Sequence, residues 1–159
     1  MKKRTFALFF GLIAFGINAH AQFFLGGSMG ISYRHDRFSL ALKPNLGYEF
    51  NERWAVGLGI GVDYLNEEFY GNVNPYIRFN CWNNSKIFFD LKASADVLFN
   101  TENVSTLAGL KPSLRYAIND HWQIAADVAV LGVDIYDGVC KPAFVFATSN
   151  TELTFLYKF

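Results

Sequence analysis

The sequence predicts an all-β protein: an eight-stranded antiparallel up-and-down transmembrane β-barrel, preceded by a cleaved signal peptide. Apolar and polar residues alternate with a period of two through most of the chain, which indicates strands with two unlike faces. Apolar residues make up 52% of the 159 residues. After the N-terminal segment, however, no apolar run approaches the roughly 20 residues of a membrane-spanning helix. A repeated segment also favours a domain built from similar hairpins.

The N-terminal segment has the three parts of a secretory signal peptide. Residues 2–4 are basic, residues 6–17 are apolar, and two alanines flank His20, as at a signal cleavage site. We therefore expect residues 1–21 to be removed and residues 22–159 to form one barrel domain. Loss of three of the 14 Lys and Arg leaves 11 against 14 acidic residues, a balance that does not favour a nucleic-acid partner.

The alternation divides the mature chain into eight strands. Short polar turns are predicted at 51–53, 83–85 and 119–121, and mostly longer connections at the other end at 65–71, 99–105 and 134–148. Phe144 and Phe146 are out of phase with Leu153 and Phe155, so we expect a bulge or the start of the last strand near Ser149. The predicted strands span 23–34, 38–50, 54–65, 71–82, 86–98, 106–118, 122–133 and 149–159.

Part of the predicted domain is repeated. Leu42–Trp54 aligns with Leu110–Trp122 through a shared Lys-Pro-x-Leu-x-Tyr pattern, and residues 74–79 form a weaker copy. Each copy places a proline inside a strand, where proline lacks the N–H donor of the ladder. We therefore expect a bulge or broken pairing at each proline, towards the outer end of its strand. These prolines are Pro44, Pro75 and Pro112.

The two strand faces predict a barrel that is inverted relative to a soluble one. The polar face is rich in Gly, Ala and Ser, which suit the crowded interior of a small barrel. The apolar face carries no charged residue within the predicted strands, and a Lys or Arg at mid-membrane would cost roughly 2–4 kcal/mol. Aromatic residues gather towards the strand ends, as in the girdles of membrane barrels. They are Trp54, Trp122 and Tyr157 at one rim and Tyr33, Phe38, Tyr64 and Phe99 at the other.

Charged residues fall on the predicted inner face in nearly equal numbers. Buried charges are tolerated when they are paired, so we expect a structural network of ion pairs that plugs the lumen. No cofactor or metal site is predicted, and Cys81 and Cys140 are too few for a thiolate site. We expect both thiols to be free, because the predicted topology puts them at opposite ends of the barrel. The predicted inner charges are Arg34, Lys43, Glu49, Asp63, Arg78, Asp90, Lys92, Asp96, Lys111, Arg115, Asp127, Glu152 and Lys158.

The last strand alternates apolar residues up to a terminal phenylalanine, at Leu153, Phe155, Tyr157 and Phe159. With the Lys-Pro-x-Leu-x-Tyr strands and a mature start at Gln22, this ending resembles the small outer-membrane β-barrel families. These are the OmpA/OmpX-type barrels and, more closely, the barrel-domain proteins of Bacteroidetes-like bacteria. The resemblance implies the bacterial outer membrane as the location and its lipid as the surroundings. It also implies that the barrel-assembly machinery reads these four residues as its signal.

The sequence contains no clear catalytic constellation. His35, beside Asp36, is the only histidine expected at the outer end, and His121 lies in a predicted turn; both suit ordinary turn chemistry. The glycines of 57–61 alternate with a period of two and precede no helix, which excludes a dinucleotide loop. We expect these glycines to leave room for large neighbours in the lumen.

The leading functional hypothesis is a non-enzymatic outer-membrane barrel. It would act in envelope integrity, or in surface contact and adhesion through its outer connections, with residues 66–70 and 134–137 as candidate contacts. A narrow channel or small-ligand carrier is the alternative. A lipid-modifying enzyme that uses His35 is the third hypothesis. The sequence does not identify a surface ligand.

Overall fold

All regular secondary structure in the described part of the chain is β-strand. The computed structural model describes residues 22–34, 37–65, 68–101, 104–136, 139–146 and 151–159. The predicted signal peptide and His35 lie outside these ranges. The strands are β1 Gln22–Arg34, β2 Arg37–Glu49, β3 Trp54–Leu65, β4 Glu68–Asn84, β5 Ile87–Phe99, β6 Val104–Ala117, β7 Trp122–Asp127, β8 Ala129–Tyr136, β9 Val139–Phe146 and β10 Thr151–Lys158. No helix among the described residues is long and apolar enough to cross a membrane.

These strands close into the predicted eight-stranded antiparallel barrel. From β1 to β6, each strand pairs with the next one along the chain. β7 and β8 are two parts of the seventh barrel strand, because both pair with β6. β9 pairs with β8, while β10 pairs with β7 and β1 and closes the barrel.

The strands are staggered around the barrel. We follow pairs of directly opposed residues once around the barrel wall. This path starts at Leu114 of β6 and returns to β6 at Val104, ten positions along the same strand. Such a stagger requires the strands to tilt relative to the barrel axis. The circuit runs through Leu114, Ala126, Leu153, Met29, Leu42, Val62, Gly71, Phe99 and Val104.

The three predicted prolines interrupt the ladder, as expected from their missing donors. The β2–β3 pairing skips Pro44, and the β4–β5 pairing skips Pro75, without a change of register. Opposite Pro112 the seventh barrel strand is bulged at Val128, whose amide donates to the Pro112 carbonyl at 2.9 Å. All three prolines lie in the middle of their strands and not near an end. That part of the prediction was wrong.

The predicted connection at 134–148 was also wrong. β8 continues to Tyr136 and β9 begins at Val139, because the alternating apolar residues of these segments pair as a hairpin, with Ile135 opposite Cys140. The connections predicted at 65–71 and 99–105 are likewise shortened by flanking strands. The last barrel strand is divided into β9 and β10, as the phase change predicted. β10 starts at Thr151, close to Ser149.

Two copies of the repeat end in turns of the same kind, at 51–53 and 119–121. The side-chain oxygen of Asn51 accepts hydrogen bonds from the amides of Arg53 and Trp54, both at 2.9 Å. Asn119 does the same for the amides of His121 and Trp122, at 3.0 and 2.8 Å. We call this end of the barrel the turn end and the opposite end the far end.

The burial pattern is inverted relative to that of a soluble protein. Large apolar side chains face outward and stay exposed, including Leu46 at 57% and Ile60 at 56%. Polar and charged side chains face inward, including Asp90 at 1% and Arg115 at 3%. Aromatic rings pair at the turn end, with Trp54 on Phe79, Phe23 on Tyr48 and Trp122 on Tyr157 at centroid distances of 4.7, 4.8 and 5.0 Å.

Candidate functional site

The charged lumen is the candidate site, because it gathers most of the ionisable side chains on the barrel strands. Eleven of the thirteen predicted charges have described side chains, and each lies at an inward position of its strand. The other two, Arg34 and Glu152, lie on β1 and β10, and their side chains are outside the described part. The eleven are Lys43, Glu49, Asp63, Arg78, Asp90, Lys92, Asp96, Lys111, Arg115, Asp127 and Lys158.

A first group of charges, the Asp90 cluster, lies near the turn end. Arg115 donates from Nε and Nη2 to the two Asp90 oxygens at 2.7 and 3.2 Å. Arg78 Nε lies 3.9 Å from Asp90, and Arg78 Nη2 donates to Glu49 Oε1. Lys158 Nζ lies 2.6 Å from Glu49. One chain of contacts therefore joins strands β10, β2, β4, β5 and β6.

Neutral amides complete the Asp90 cluster. Asn80 donates to Asp90 Oδ1 at 2.8 Å, and Arg115 Nη1 donates to Gln123 Oε1 at 2.8 Å. The network thereby extends to β7. Because nearly every polar atom here has a partner, the buried charges avoid much of the desolvation penalty that unpaired charges incur.

Small residues make room for these contacts across the lumen. Phe24, the most buried large side chain of the described part, packs over Gly47, where a Cβ would come within 2.6 Å of the ring atoms Cε1 and Cε2. Arg78 stacks over the same Phe24 ring at 5.3 Å. The predicted role of the 57–61 glycines is confirmed at Gly57, since a Cβ there would lie 2.7 Å from Tyr76 Cε1.

A second group, the Asp96 cluster, lies nearer the far end. Asp96 accepts from Asn74 at 2.8 Å and contacts Lys111 Nζ at 2.5 Å and Lys43 Nζ at 3.4 Å. These donors stand on β4, β6 and β2, so the Lys43 contact passes over β3 and β4. β3 carries Gly59 at this level, against Asn45 and Asn74.

Two more pairs lie beside these clusters. Lys92 Nζ is 2.6 Å from Asp127 Oδ1, although neither Asp127 oxygen accepts a hydrogen bond of good geometry from the described residues. Asn72 donates to Asp63 at 2.9 Å. A void of about 10 Å³ lies beside the Asp90 cluster, about the space for one water molecule. It is lined by Tyr76, Arg78, Asp90, Lys92, Ser113, Ala125, Thr154 and Leu156.

The prediction from the sequence identified the charges of the lumen but missed its neutral members. The amides of Asn72, Asn74, Asn80 and Gln123 are all buried and hydrogen-bonded. Their signal was present, because each occupies an inward position in the alternation. Phe24 lies inward by the same rule.

The remaining chemical candidates lie outside the lumen network. His121 is exposed, stacks on Tyr157 at 5.6 Å, and has Nδ1 3.0 Å from the Lys158 carbonyl oxygen, which suits a turn residue. Cys81 lies in a bulge of β4 near the turn end, and Cys140 lies in β9 near the far end; both are free and exposed. In the described ranges no three His, Cys, Asp or Glu side chains are placed to hold a metal ion.

No family model and no curated protein matches this sequence. A solved structure described as "De novo design of transmembrane beta-barrels" is similar over 89% of this chain and 98% of that chain, with 12% sequence identity and a TM-score of 0.47.

Proposed function

We propose that this chain is a non-enzymatic, integral outer-membrane β-barrel protein with a plugged lumen. It would reach the bacterial outer membrane by means of the N-terminal signal peptide and contribute there to envelope integrity. The observation that carries this proposal is the inverted burial, with ion pairs inside and an apolar belt outside.

The apolar belt supports a lipid environment. The outward positions of the described strands hold mostly apolar residues and no charged side chain, whereas soluble monomers rarely expose contiguous apolar patches larger than a few hundred Å². Closure of the ladder satisfies backbone groups without water. Leu153, Phe155 and Phe159, three of the four residues proposed as the assembly signal, are exposed on this belt.

The packed lumen supports a non-conducting barrel. Ion pairs cross it at two levels, at Glu49–Arg78 and at Lys43–Asp96. An open channel would need both contacts to separate. The charged lining also disfavours passage of an apolar substrate.

Surface contact is proposed at the rim of the far end. Because successive strands there are separated by only two to four residues, contacts would involve strand ends and not extended loops. Exposed polar residues at this rim include Glu68, Asp134 and Lys141. These replace the longer connections that the sequence indicated.

The test is refolding of residues 22–159 into detergent micelles and lipid vesicles. We expect a β-rich circular dichroism spectrum, protection from added protease in vesicles, and a gel mobility that changes on boiling. A stable water-soluble monomer without detergent would contradict the proposal. The variant Leu46→Lys places a charge on the apolar belt and should reduce insertion. Its matched control, Lys86→Gln in a turn, should insert as the wild-type protein does.

A further inference from the structure

The three copies of the repeat meet at one carboxylate. The residues that precede the three repeat prolines are Lys43, Asn74 and Lys111. Although they stand on three different strands, each contacts Asp96, at 3.4, 2.8 and 2.5 Å. Equivalent positions of the repeat therefore converge on a single side chain of β5.

A second convergence lies nearer the turn end. The residues three positions after the prolines are Gly47, Arg78 and Arg115. Both arginines contact Asp90, the other buried aspartate on β5 near these clusters. β5 itself belongs to no copy of the repeat, yet it supplies both acceptors. We call Asp90 and Asp96 the two hub aspartates.

The alternation of apolar and polar residues does not by itself specify the register in which β5 pairs with its neighbours. A slip of one residue between neighbouring strands would turn every apolar side chain to the wrong face. A slip of two residues preserves both faces, so the alternation cannot exclude it. Such a slip moves a donor by roughly 6.6 Å along its strand, which is enough to separate the hub aspartates from their buried partners.

We propose that the two hub aspartates lock β5 in register with β4 and β6, and so select this closed barrel over barrels whose pairing differs by two residues. Buried ionic groups contribute little net stability when compared with apolar side chains, and fixing register is their best-attested role. The lock is a property of the fold, and it does not depend on the proposed location or on the proposed absence of conductance.

The test uses disulfide trapping in a chain with Cys81→Ser and Cys140→Ser. Ala95 and Ala108 are directly opposed on the outward faces of β5 and β6, within reach of a disulfide. Ala95→Cys with Ala108→Cys therefore reports the native register. Ala95→Cys with Thr106→Cys, or with Leu110→Cys, reports a slip of two residues in either direction. With both aspartates present, only the first pair should oxidise after refolding.

In the variant Asp90→Asn with Asp96→Asn, we expect disulfides to shift by two residues and appear in one of the slipped pairs. A second variant, Asp90→Leu and Asp96→Leu with Lys111→Met and Arg115→Met, removes both hubs together with their charged partners on β6. It should slip as well. The control Asp134→Asn changes an exposed carboxylate opposite Lys141 and should keep the native pair.

Exclusive formation of the native disulfide in both hub variants would overturn the proposal. Failure of both variants to fold would also overturn it, because a register lock predicts a folded barrel with shifted pairing. Slipped disulfides in the Asp134→Asn control would show that the register was never specified by the hubs.

Discussion

Arg115 and Asp90 form a two-point ion pair inside the barrel, with both side chains almost completely buried. Two guanidinium nitrogens of Arg115 face the two carboxylate oxygens, and the centroid of the Phe88 ring lies 4.2 Å from the guanidinium carbon. Bidentate pairs of this kind fix direction as well as distance. The pair therefore ties β6 to β5 at a defined height.

Removing one partner of this pair should be costly. Arg115→Met should lower the free energy of unfolding by about 3–5 kcal/mol, because it leaves a buried carboxylate without its main partner. The measurement is urea unfolding in lipid vesicles. Arg115→Met combined with Asp90→Leu should recover most of the loss, and the exposed Lys141→Met should change little. Equal stability of wild type and Arg115→Met would contradict the role given to this pair.

A methyl group at Gly47 should disturb the lumen. Gly47→Ala places a Cβ against the Phe24 ring, and such overpacking costs about 1–3 kcal/mol. Gly27→Ala is the matched control, because its nearest atom would be Lys43 O at 3.9 Å, an ordinary contact. Unfolding followed by tryptophan fluorescence compares the two. A Gly27→Ala variant less stable than Gly47→Ala would show that the Phe24 contact is not limiting.

The ion pairs across the lumen predict a closed barrel. Purified protein in planar bilayers should show little or no steady conductance, since Lys43–Asp96 and Glu49–Arg78 cross the lumen at two levels. The variant Asp96→Ala with Glu49→Ala should conduct more than wild type if it folds, because it opens both levels. Large, long-lived openings of the wild-type protein would favour the channel hypothesis instead.

The two cysteines test the direction in which the strands run. With the turn end in the periplasm, Cys140 should react with a membrane-impermeant maleimide on intact cells, and Cys81 should be protected. Both thiols are exposed, so a difference in labelling reports the membrane and not burial. Cys140→Ser is the control that removes the signal. Labelling of Cys81 alone would show that the barrel has the opposite orientation in the membrane.

The enzyme hypothesis predicts an effect of His35. We expect His35→Ala to change neither folding nor the lipid profile of the envelope, measured by mass spectrometry of extracted lipids. His121→Ala serves as the comparison at the turn end. Loss of one acyl-chain modification in His35→Ala alone would make this protein a lipid-modifying enzyme.

Much of this protein could be predicted from local sequence. Alternation has a period of two, so it identified the inward face that holds Asp90 and Arg115 without knowledge of strand neighbours. The breaks in the ladder could be predicted at Pro44, Pro75 and Pro112, because the missing N–H donor is a property of a single residue. The prediction from the sequence failed where several weak signals competed. In residues 134–148, for example, a hairpin replaces the expected connection.

The sequence alone determined which residues face the lumen, whereas only the tertiary structure decided which of them meet. Lys43 and Asp96 are 53 positions apart, and their contact depends on the stagger that accumulates around the closed wall. Stagger is a property of all eight strands together, so no local pattern contains it. The convergence of three repeat positions on Asp96 therefore became visible only once the barrel was closed.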